Sequence, residues 1–264
     1  KLATVTAGHF ESEIGVSSSD DVKSEWAGGT RNIGKGVALH LAKLGANVCI
    51  NSRQKDADSE KTLALIAELN GKAFHFPANI ADEDNVNQMV KQTVAQFGGI
   101  DIFVHSAGIR RVNSLLETSL KEWREVMGTN LDAAFLCSKA VVPHMKPKMG
   151  RLIYVSGVSA FRGSSHRAHV VASKAGLVGL ARSLAIELGE QQITVNCIAP
   201  GPIDTVRAAE TGNIPHHPYG METMLGHKGE AHDIAAMVGF LASDEGKFIT
   251  GQVMHVNGGM HFGS

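Results

Sequence analysis

The sequence carries almost no net charge. Among its 264 residues, 25 Lys and Arg stand against 26 Asp and Glu, which gives a formal net charge of −1 at pH 7. A protein that binds nucleic acid or an anionic membrane through its overall electrostatic field needs an excess of cations. The charge balance therefore argues against both partners, and a small-molecule partner becomes the expectation.

Cysteine is scarce, and long apolar runs are missing. The three cysteines, Cys49, Cys137 and Cys197, lie far apart in apolar surroundings, without the paired spacing of a disulfide framework or a zinc site. We expect buried thiols in a reducing compartment and no metal site. No apolar run approaches the length of a membrane span, and no charged-then-apolar leader is present. These absences predict a cytoplasmic protein.

What the sequence does contain is a regular alternation of strand and helix patterns. Apolar residues make up 43% of the chain, which is enough for the core of one large domain spanning 1–264. Short apolar runs alternate with longer helical patterns, as in βαβ units with a parallel sheet. The predicted strands are 2–6, 46–51, 72–77, 101–105, 151–155, 193–199 and 252–256, and helices are predicted at about 56–70, 82–97, 119–145 and 168–188.

The first strand is separated from a glycine-rich turn that opens a helical pattern. We interpret residues 7–27 as an insertion between strand 2–6 and the turn Gly28-Gly29-Thr30-Arg31-Asn32-Ile33-Gly34. The alternative places the first strand at 22–27, and it would bury Lys, Ser and Glu in a strand that helices cover on both faces. The insertion carries acidic residues, namely Glu11, Glu13, Asp20, Asp21 and Glu25, against the single cation Lys23.

A glycine-rich turn between a strand and a helix can bind a pyrophosphate. The backbone approaches the phosphates closely, and their charge meets the positive end of the helix dipole. Asn32 stands where such turns often need positive φ, a conformation that Asn tolerates better than most residues. Two interpretations stay open here, a nucleotide site and a relic turn. The acidic insertion either covers the site or loops outward into solvent.

Several motifs together resemble the short-chain dehydrogenase/reductase family. They are the glycine-rich turn, His105-Ser106-Ala107-Gly108, the Asn130 of MGTNLDAAF, the helical Lys174, the turn Pro200-Gly201-Pro202-Ile203-Asp204-Thr205, and Asn257-Gly258-Gly259. The resemblance implies a Rossmann-type, doubly wound parallel α/β sheet of seven strands in the order 3-2-1-4-5-6-7. It also implies a homotetramer, and a lineage close to the 3-oxoacyl carrier-protein reductases and related ketone reductases.

The resemblance fails at two catalytic positions. The family carries a Tyr four residues before the Lys and a Ser thirteen residues before that Tyr; with Lys174 as the Lys, these positions are Val170 and Gly157. By resemblance, Lys174 would hold the nicotinamide ribose and Asn130 would hold a water beside it. Neither Val170 nor Gly157 can donate a proton or a hydrogen bond to a carbonyl oxygen.

The resemblance also implies a cofactor and the residues that hold it. Arg31 and Arg53 stand where family members that accept a 2′-phosphate carry cations, which favours NADP(H) over NAD(H). The insertion at 7–27 is expected to weaken or block that binding, and residues 206–226 are predicted to form a lid over the substrate. The implied cofactor-binding positions are Gly28, Thr30, Arg31, Ile33, Gly34, Arg53, Asn79, Ile80, Ala107, Gly108, Lys174, Pro200, Gly201, Ile203 and Thr205.

Three functions remain open from the sequence. The first is an NADP(H)-dependent carbonyl reductase or alcohol dehydrogenase with a substitute acid such as His166 or Ser159. The second is a non-redox enzyme, such as a lyase, cyclase or isomerase. The third is a catalytically silent binding or regulatory protein.

Overall fold

A parallel sheet of seven strands forms the centre of the protein. The structure is a computed structural model, and it describes residues 2–6, 30–145, 150–205 and 223–263. The strands are β1 (Leu2–Thr6), β2 (Asn47–Ser52), β3 (Ala73–Pro77), β4 (Ile102–His105), β5 (Arg151–Val155), β6 (Thr194–Pro200) and, after two short strands, β9 (Val253–Val256). Their order is β3-β2-β1-β4-β5-β6-β9, which confirms the predicted α/β fold and strand order. The short strands β7 (Ile203–Asp204) and β8 (Gly229–Glu230) pair with each other.

The first strand lies where the sequence interpretation placed it. β1 pairs in parallel with β2 and β4, and Ala3 lies opposite Val48 on one side and Ile102 on the other. The strand 2–6 therefore occupies an interior position of the sheet, between β2 and β4. The proposed insertion at 7–27 lies outside the described residues, so its conformation stays a prediction.

Eight α-helices are described, and three of them begin at side-chain caps. They are α1 (Asn32–Lys43), α2 (Ala57–Glu68), α3 (Glu83–Phe97), α4 (Leu120–Met127), α5 (Ala133–Val141), α6 (Ser159–Arg162), α7 (Ala168–Glu187) and α8 (Ala231–Ala242). Asp56, Asp82 and Ser119 cap α2, α3 and α4 by accepting hydrogen bonds from backbone N–H groups. The helix predicted at 119–145 is confirmed as one helical run, in which a π-helical turn, Gly128–Asp132, lies between α4 and α5.

Two apolar layers cover the faces of the sheet. Alternate residues of each strand point to opposite faces, so that Ile102 and Val104 pack against α1 and α8 while Phe103 packs against α3, α5 and α7. All three cysteines are buried free thiols, as predicted. Helix α7 is long and apolar enough to span a membrane, but its buried face packs on β6, as expected of a core helix.

Candidate functional site

The site forms at the edge where the parallel strands end. The strand order reverses between β1 and β4, and in open parallel sheets a crevice forms at such a switch point beyond the carboxyl ends of the strands. The segments that follow β4, β5 and β6 begin there. These are the segments in which the sequence predicted cofactor and catalytic positions.

The described part of the glycine-rich turn has the backbone that the sequence predicted. Asn32 adopts a φ of 49° and begins α1, and Arg31 before it makes no side-chain cap. Thr30 is buried; its carbonyl accepts a hydrogen bond of 3.1 Å from Thr62 Oγ1, while its own Oγ1 has no hydrogen-bond partner. Ile33 and Gly34 are buried in the first turn of α1. Gly28 lies outside the described residues.

The two arginines predicted to meet a 2′-phosphate differ in their surroundings. Arg31 donates hydrogen bonds to Asp58 and, at 3.4 Å, to Asp56, so two carboxylates at the start of α2 neutralise it. Arg53 is half-buried, and burial lowers the pKa of its guanidinium while nearby Glu125 opposes that shift. Phosphate binding by Arg31 would therefore compete with an existing ion pair.

Asn51, which the sequence analysis did not assign to the site, holds the β2 and β3 ends together. Its Nδ2 donates to the Phe76 carbonyl at 2.8 Å and to the Ala78 carbonyl at 3.2 Å. Asn79 and Ile80 follow directly; Asn79 is exposed, and Ile80 is buried in the core. The adenine side of the predicted site is thus built on a rigid strand end, with the Asn79 side chain at its surface.

Strand β4 ends at a buried histidine. His105 Nε2 donates to the main-chain carbonyl of Asn130 at 3.1 Å, and its Nδ1 has no hydrogen-bond partner, like the neighbouring hydroxyl of Ser106. Burial and the nearby charge of Lys174 lower the pKa of His105 to about 3. His105 is therefore neutral at ordinary pH. Ala107 and Gly108 are buried beside it.

Asn130 joins the loop after β4 to helix α7. It lies in the π-helical turn, a feature that often marks functional sites. Its Oδ1 accepts from Ile109 N at 2.6 Å, and its Nδ2 donates to Ile109 O at 3.1 Å and to Ser173 Oγ at 2.9 Å. Ser173 in turn donates to the Val170 carbonyl at 2.8 Å. This network fixes Ile109 and Arg110, the residue that follows it, against the helix of Lys174.

Lys174 has a strongly perturbed amine. Only 2% of the residue is exposed, and Nζ donates to the Val155 carbonyl, at the end of β5, over 2.8 Å. Burial lowers the pKa of Lys174 to about 7, and the charge of Arg110 acts in the same direction. The amine is therefore partly uncharged near neutral pH.

Val170 lies one helical turn before Lys174 and Gly157 lies two residues after Val155, and neither contributes a polar side chain. Val170 is 3% exposed and packs in an apolar cluster with Ile109 and Val126. A Cβ placed on Gly157 would meet only Ser159 Oγ, at 3.6 Å, which is an ordinary contact. The backbone thus leaves room for a side chain at Gly157, while the surroundings of Val170 are closed by apolar groups.

The two candidate substitute acids lie in different places: Ser159 Oγ is 3.6 Å from where a Cβ on Gly157 would be, whereas His166 lies before α7. Helix α7 begins at Ala168, so His166 is outside it; the histidine is exposed, has a φ of 58°, and accepts a hydrogen bond from Asn113 N through its carbonyl. A role for His166 on the helix face of Val170 would require the helix to begin before Ala168. Ser159 begins the short helix α6.

A buried hydrogen bond beside Val170 was missed by the sequence analysis. His169 is fully buried, and its Nε2 lies 3.0 Å from Glu122 Oε1, while Asn113 Nδ2 donates to both Glu122 oxygens. No sequence pattern joins residues so far apart. Tyr154, by contrast, is buried and bonded to Ser138, as expected for a core residue.

The turn after β6 packs tightly against the turn after β9. Gly201 N donates to the Val256 carbonyl at 3.0 Å, and a Cβ on Gly201 would lie 2.7 Å from the Asn257 Cα, so only glycine fits. Ile203 is buried in β7, and Thr205 is half-buried. Residues 206–222 of the predicted lid lie outside the described residues.

Within the described ranges, no group of three His, Cys, Asp or Glu side chains could hold a metal ion. The site is therefore built from hydroxyls, amides, arginines and one lysine. Such groups suit an organic ligand with phosphates or carboxylates.

The sequence and the fold of this chain are similar to those of known reductases. A family model described as "Enoyl-(Acyl carrier protein) reductase" matches residues 27–261. The 3-oxoacyl-[acyl-carrier-protein] reductase FabG of Staphylococcus aureus is 40% identical over 247 residues, which cover 89% of this chain and 96% of that protein. A dehydrogenase/reductase from Sinorhizobium meliloti 1021 is 33% identical with a TM-score of 0.82, over 88% of this chain and 92% of that one. A blue fluorescent protein from a metagenomic library, solved in complex with NADPH, is 32% identical with a TM-score of 0.81, over 89% of this chain and 96% of that one.

Proposed function

The chain belongs to the short-chain dehydrogenase/reductase family, and from this premise we propose that it binds NADP(H) but has lost the family's standard carbonyl reduction. Its relatives make it an oxidoreductase-family protein of the 3-oxoacyl reductase kind. The observation that carries the proposal is the closed apolar cluster at Val170, together with the absence of any side chain at Gly157.

The described residues fit a dinucleotide phosphate. The buried hydroxyls of Thr30 and Ser106 have no hydrogen-bond partner, and both lie at the carboxyl edge of the sheet. Asn32 supplies positive φ at the start of α1, whose N-terminus has no side-chain cap. We propose that Thr30, Arg53 and Ser106 hold the phosphate and ribose groups, while Ile203 and Thr205 border the nicotinamide. The NADPH complex of a neighbour that is 32% identical supports this assignment.

The reduced cofactor, when bound, would supply a hydride; the protein must supply the proton. Val170 carries no proton, and Gly157 offers no hydrogen bond to a developing oxyanion. A positioned acid contributes about 10²–10⁴-fold in rate, and an oxyanion donor contributes about 10²–10³-fold. Without the acid and the oxyanion donor, the protein can accelerate ordinary ketone reduction only by orienting the substrate and the cofactor in the pocket.

Cofactor affinity is expected to be modest. Arg31 is held by Asp56 and Asp58, so a 2′-phosphate must displace a carboxylate to reach it. We propose that the acidic insertion 7–27 lowers the affinity further, because it adds negative charge beside the phosphate turn. The protein would act in the cytoplasm on a small molecule.

The buried amine of Lys174 favours a second candidate, a non-redox enzyme on the same scaffold. A lysine with a lowered pKa is suited to proton transfer or covalent chemistry. The third candidate function is that of a catalytically silent binding protein. Such a protein would use the cofactor-binding fold and would not depend on the amine of Lys174.

Titration with NADPH and with NADH, followed by cofactor fluorescence, tests the proposal. We expect saturable binding of both cofactors, with NADPH bound more tightly than NADH. The rate at which the protein reduces simple ketones should not exceed the rate of the variant Lys174→Met. Absence of binding at millimolar NADPH would contradict the cofactor assignment. Ketone reduction at rates usual for reductases would contradict the loss of activity.

A further inference from the structure

The start of helix α2 holds the arginine of the glycine-rich turn. Arg31 Nη2 lies 3.4 Å from Asp56 Oδ2, and Arg31 Nε donates to Asp58 Oδ2. Asp56 is the N-cap of α2 and Asp58 lies in its first turn, where the helix dipole favours negative charge. Two carboxylates that the helix itself stabilises therefore bind this cation.

The contact belongs to a packed unit and is not a loose surface pair. Asp56 Oδ1 accepts a hydrogen bond from Ser59 N at 2.8 Å, which fixes the carboxylate. Thr62 Oγ1 donates to the carbonyl of Thr30, the residue before Arg31, at 3.1 Å in the interior. Helix α2 is thus hydrogen-bonded to the glycine-rich turn directly beside the ion pair, and both partners of the pair are held in place.

The serine at the end of β2 is also bound by its own chain. Ser52 Oγ donates to the Gln54 carbonyl at 2.7 Å and lies 2.7 Å from His75 Nε2. A serine hydroxyl carries one hydrogen, so His75 is the donor of the second bond. The Ser52 hydroxyl therefore cannot donate to a phosphate while it keeps the Gln54 bond. The segment 54–58 engages both this hydroxyl and Arg31.

Nucleotides with and without a 2′-phosphate meet this segment differently. In dinucleotide sites, a cation near the end of the second strand accommodates the 2′-phosphate. A 2′-phosphate that binds Arg31 must take the place of the carboxylates of Asp56 and Asp58. A free 2′-hydroxyl carries no charge, so Arg31 keeps its ion pair when such a nucleotide binds. The ion pair therefore opposes the binding of the phosphorylated nucleotide alone.

We propose that Asp58, assisted by Asp56, limits the selectivity of this site for 2′-phosphorylated nucleotides by competing with the phosphate for Arg31. The inference rests on the proposed NADP(H) site and adds the residues that set the preference between the two cofactors. Asp56 also caps α2, so Asp58 is the carboxylate that can be neutralised without touching the cap. Removing its charge should enlarge the preference for the phosphorylated nucleotide.

Calorimetric titration of the full chain with adenosine 2′,5′-bisphosphate and with AMP measures this selectivity without any nicotinamide. We expect Asp58→Asn to bind the bisphosphate about 3–10-fold more tightly, because a half-exposed ion pair no longer competes for Arg31. The affinity for AMP should stay within about 2-fold of that of the unmodified protein. Asp56→Asn is the second variant and should shift the bisphosphate affinity in the same direction, since Asn caps a helix as well as Asp does.

Two further variants separate competition for Arg31 from a general effect of charge. Glu60→Gln removes the same charge from the same turn, but Glu60 pairs with Lys55 at 3.4 Å, so both affinities should be unchanged. In an Arg31→Met background, Asp58→Asn should change the bisphosphate affinity by less than about 2-fold, because the cation for which Asp58 competes is gone.

An equal gain for AMP and for the bisphosphate in Asp58→Asn would overturn the proposal, as would no gain for either. The same holds if Glu60→Gln matches the gain, or if the gain persists in the Arg31→Met background. Each of these results leaves the NADP(H) site itself standing, since nucleotide binding would still be observed. Failure of AMP, the bisphosphate and NADPH to bind at all would contradict both proposals together.

Discussion

At the scale of single residues, the role of Lys174 depends on its neighbours. By resemblance to the family, a protonated lysine would favour the phenolate of a nearby tyrosine. Here the tyrosine position holds Val170, and the lysine itself has a pKa of about 7. With no phenol to activate, a charged amine in this place costs stability and gains nothing for a tyrosine-based mechanism.

The lowered pKa makes stability depend on pH. Below about pH 7, Lys174 is charged in both the folded and the unfolded chain, and the folded chain bears the full cost of a buried charge. Above that pH, the folded chain releases the proton while the unfolded chain keeps it. Stability should therefore rise with pH between about 7 and 10, by up to about 1.4 kcal/mol per unit.

Urea unfolding of the unmodified protein and of Lys174→Met, from pH 6 to pH 9, measures this contribution. The difference in unfolding free energy between the two should move in favour of the unmodified protein as the pH rises. A difference that stays constant across the range would show that the amine titrates at its usual pKa.

Restoring the missing donors tests the loss of carbonyl reduction. Gly157→Ser fits the backbone as it stands, because its Cβ makes only an ordinary contact. Val170→Tyr must displace Ile109 and Val126, so the double variant should fold with lower stability. With NADPH present, we expect a gain in ketone reduction of about 10²–10⁴-fold, followed by absorbance of the cofactor. Gly157→Ser alone is the control, and inactivity of the double variant with intact NADPH binding would show that the rest of the pocket has also changed.

At the scale of elements, the strands were predictable and the tertiary contacts were not. Each strand in the parallel sheet is covered on both faces, so its apolar run is visible in the sequence, and β5 matches its predicted bounds. A turn conformation was predictable as well. Asn tolerates positive φ better than most residues, and Asn32 adopts a positive φ.

The π-helical turn between α4 and α5 lacked such a signal. Residues 119–145 keep a helical pattern throughout, and the π-helical turn arises where Asn130 reaches across to Ile109 and Ser173. The buried pair of Glu122 and His169 was missed for the same reason. Contacts between side chains on different elements depend on the packing of the whole fold, which spacing along one helix does not encode.

The insertion between β1 and the glycine-rich turn is the element that governs the predicted cofactor affinity. Deleting residues 7–27 removes five acidic residues and one lysine from the neighbourhood of the phosphates. We expect NADPH to bind more tightly after the deletion, and most clearly at low salt, where exposed charges are least screened. Cofactor fluorescence at two ionic strengths measures the change.

A control for the deletion is a variant of the full chain in which the five acidic residues become Asn or Gln. If charge is the cause, this variant should share most of the gain in affinity. If the deletion tightens binding and the neutral variant does not, the insertion acts by covering the site. Unchanged or weaker affinity in both variants would show that the insertion is no barrier.

At the scale of the whole molecule, one edge of the sheet is incompletely covered. Among the described strands, β9 pairs with β6 alone, and exposed edge strands are prone to pairing with other chains. Phe248 is 99% exposed and Ile186 is 85% exposed. The loop of Phe248 lies beside the end of α7, because a Cβ on Gly251 would contact Ala185 at 3.5 Å. These features place an apolar surface next to an open strand edge.

We expect a second copy of the chain to cover this surface, as part of the homotetramer that the family resemblance implies. Single exposed apolar residues are ordinary, but neighbouring ones beside a free edge favour an interface. Light scattering should give a tetramer for the unmodified protein and a smaller assembly for Phe248→Glu or Ile186→Glu, because each buries a charge between copies. Leu44→Glu, at the exposed end of α1, is the control and should keep the assembly. A monomeric unmodified protein would rule out this interface, and an unchanged mass in both edge variants would place the contacts between copies on another face.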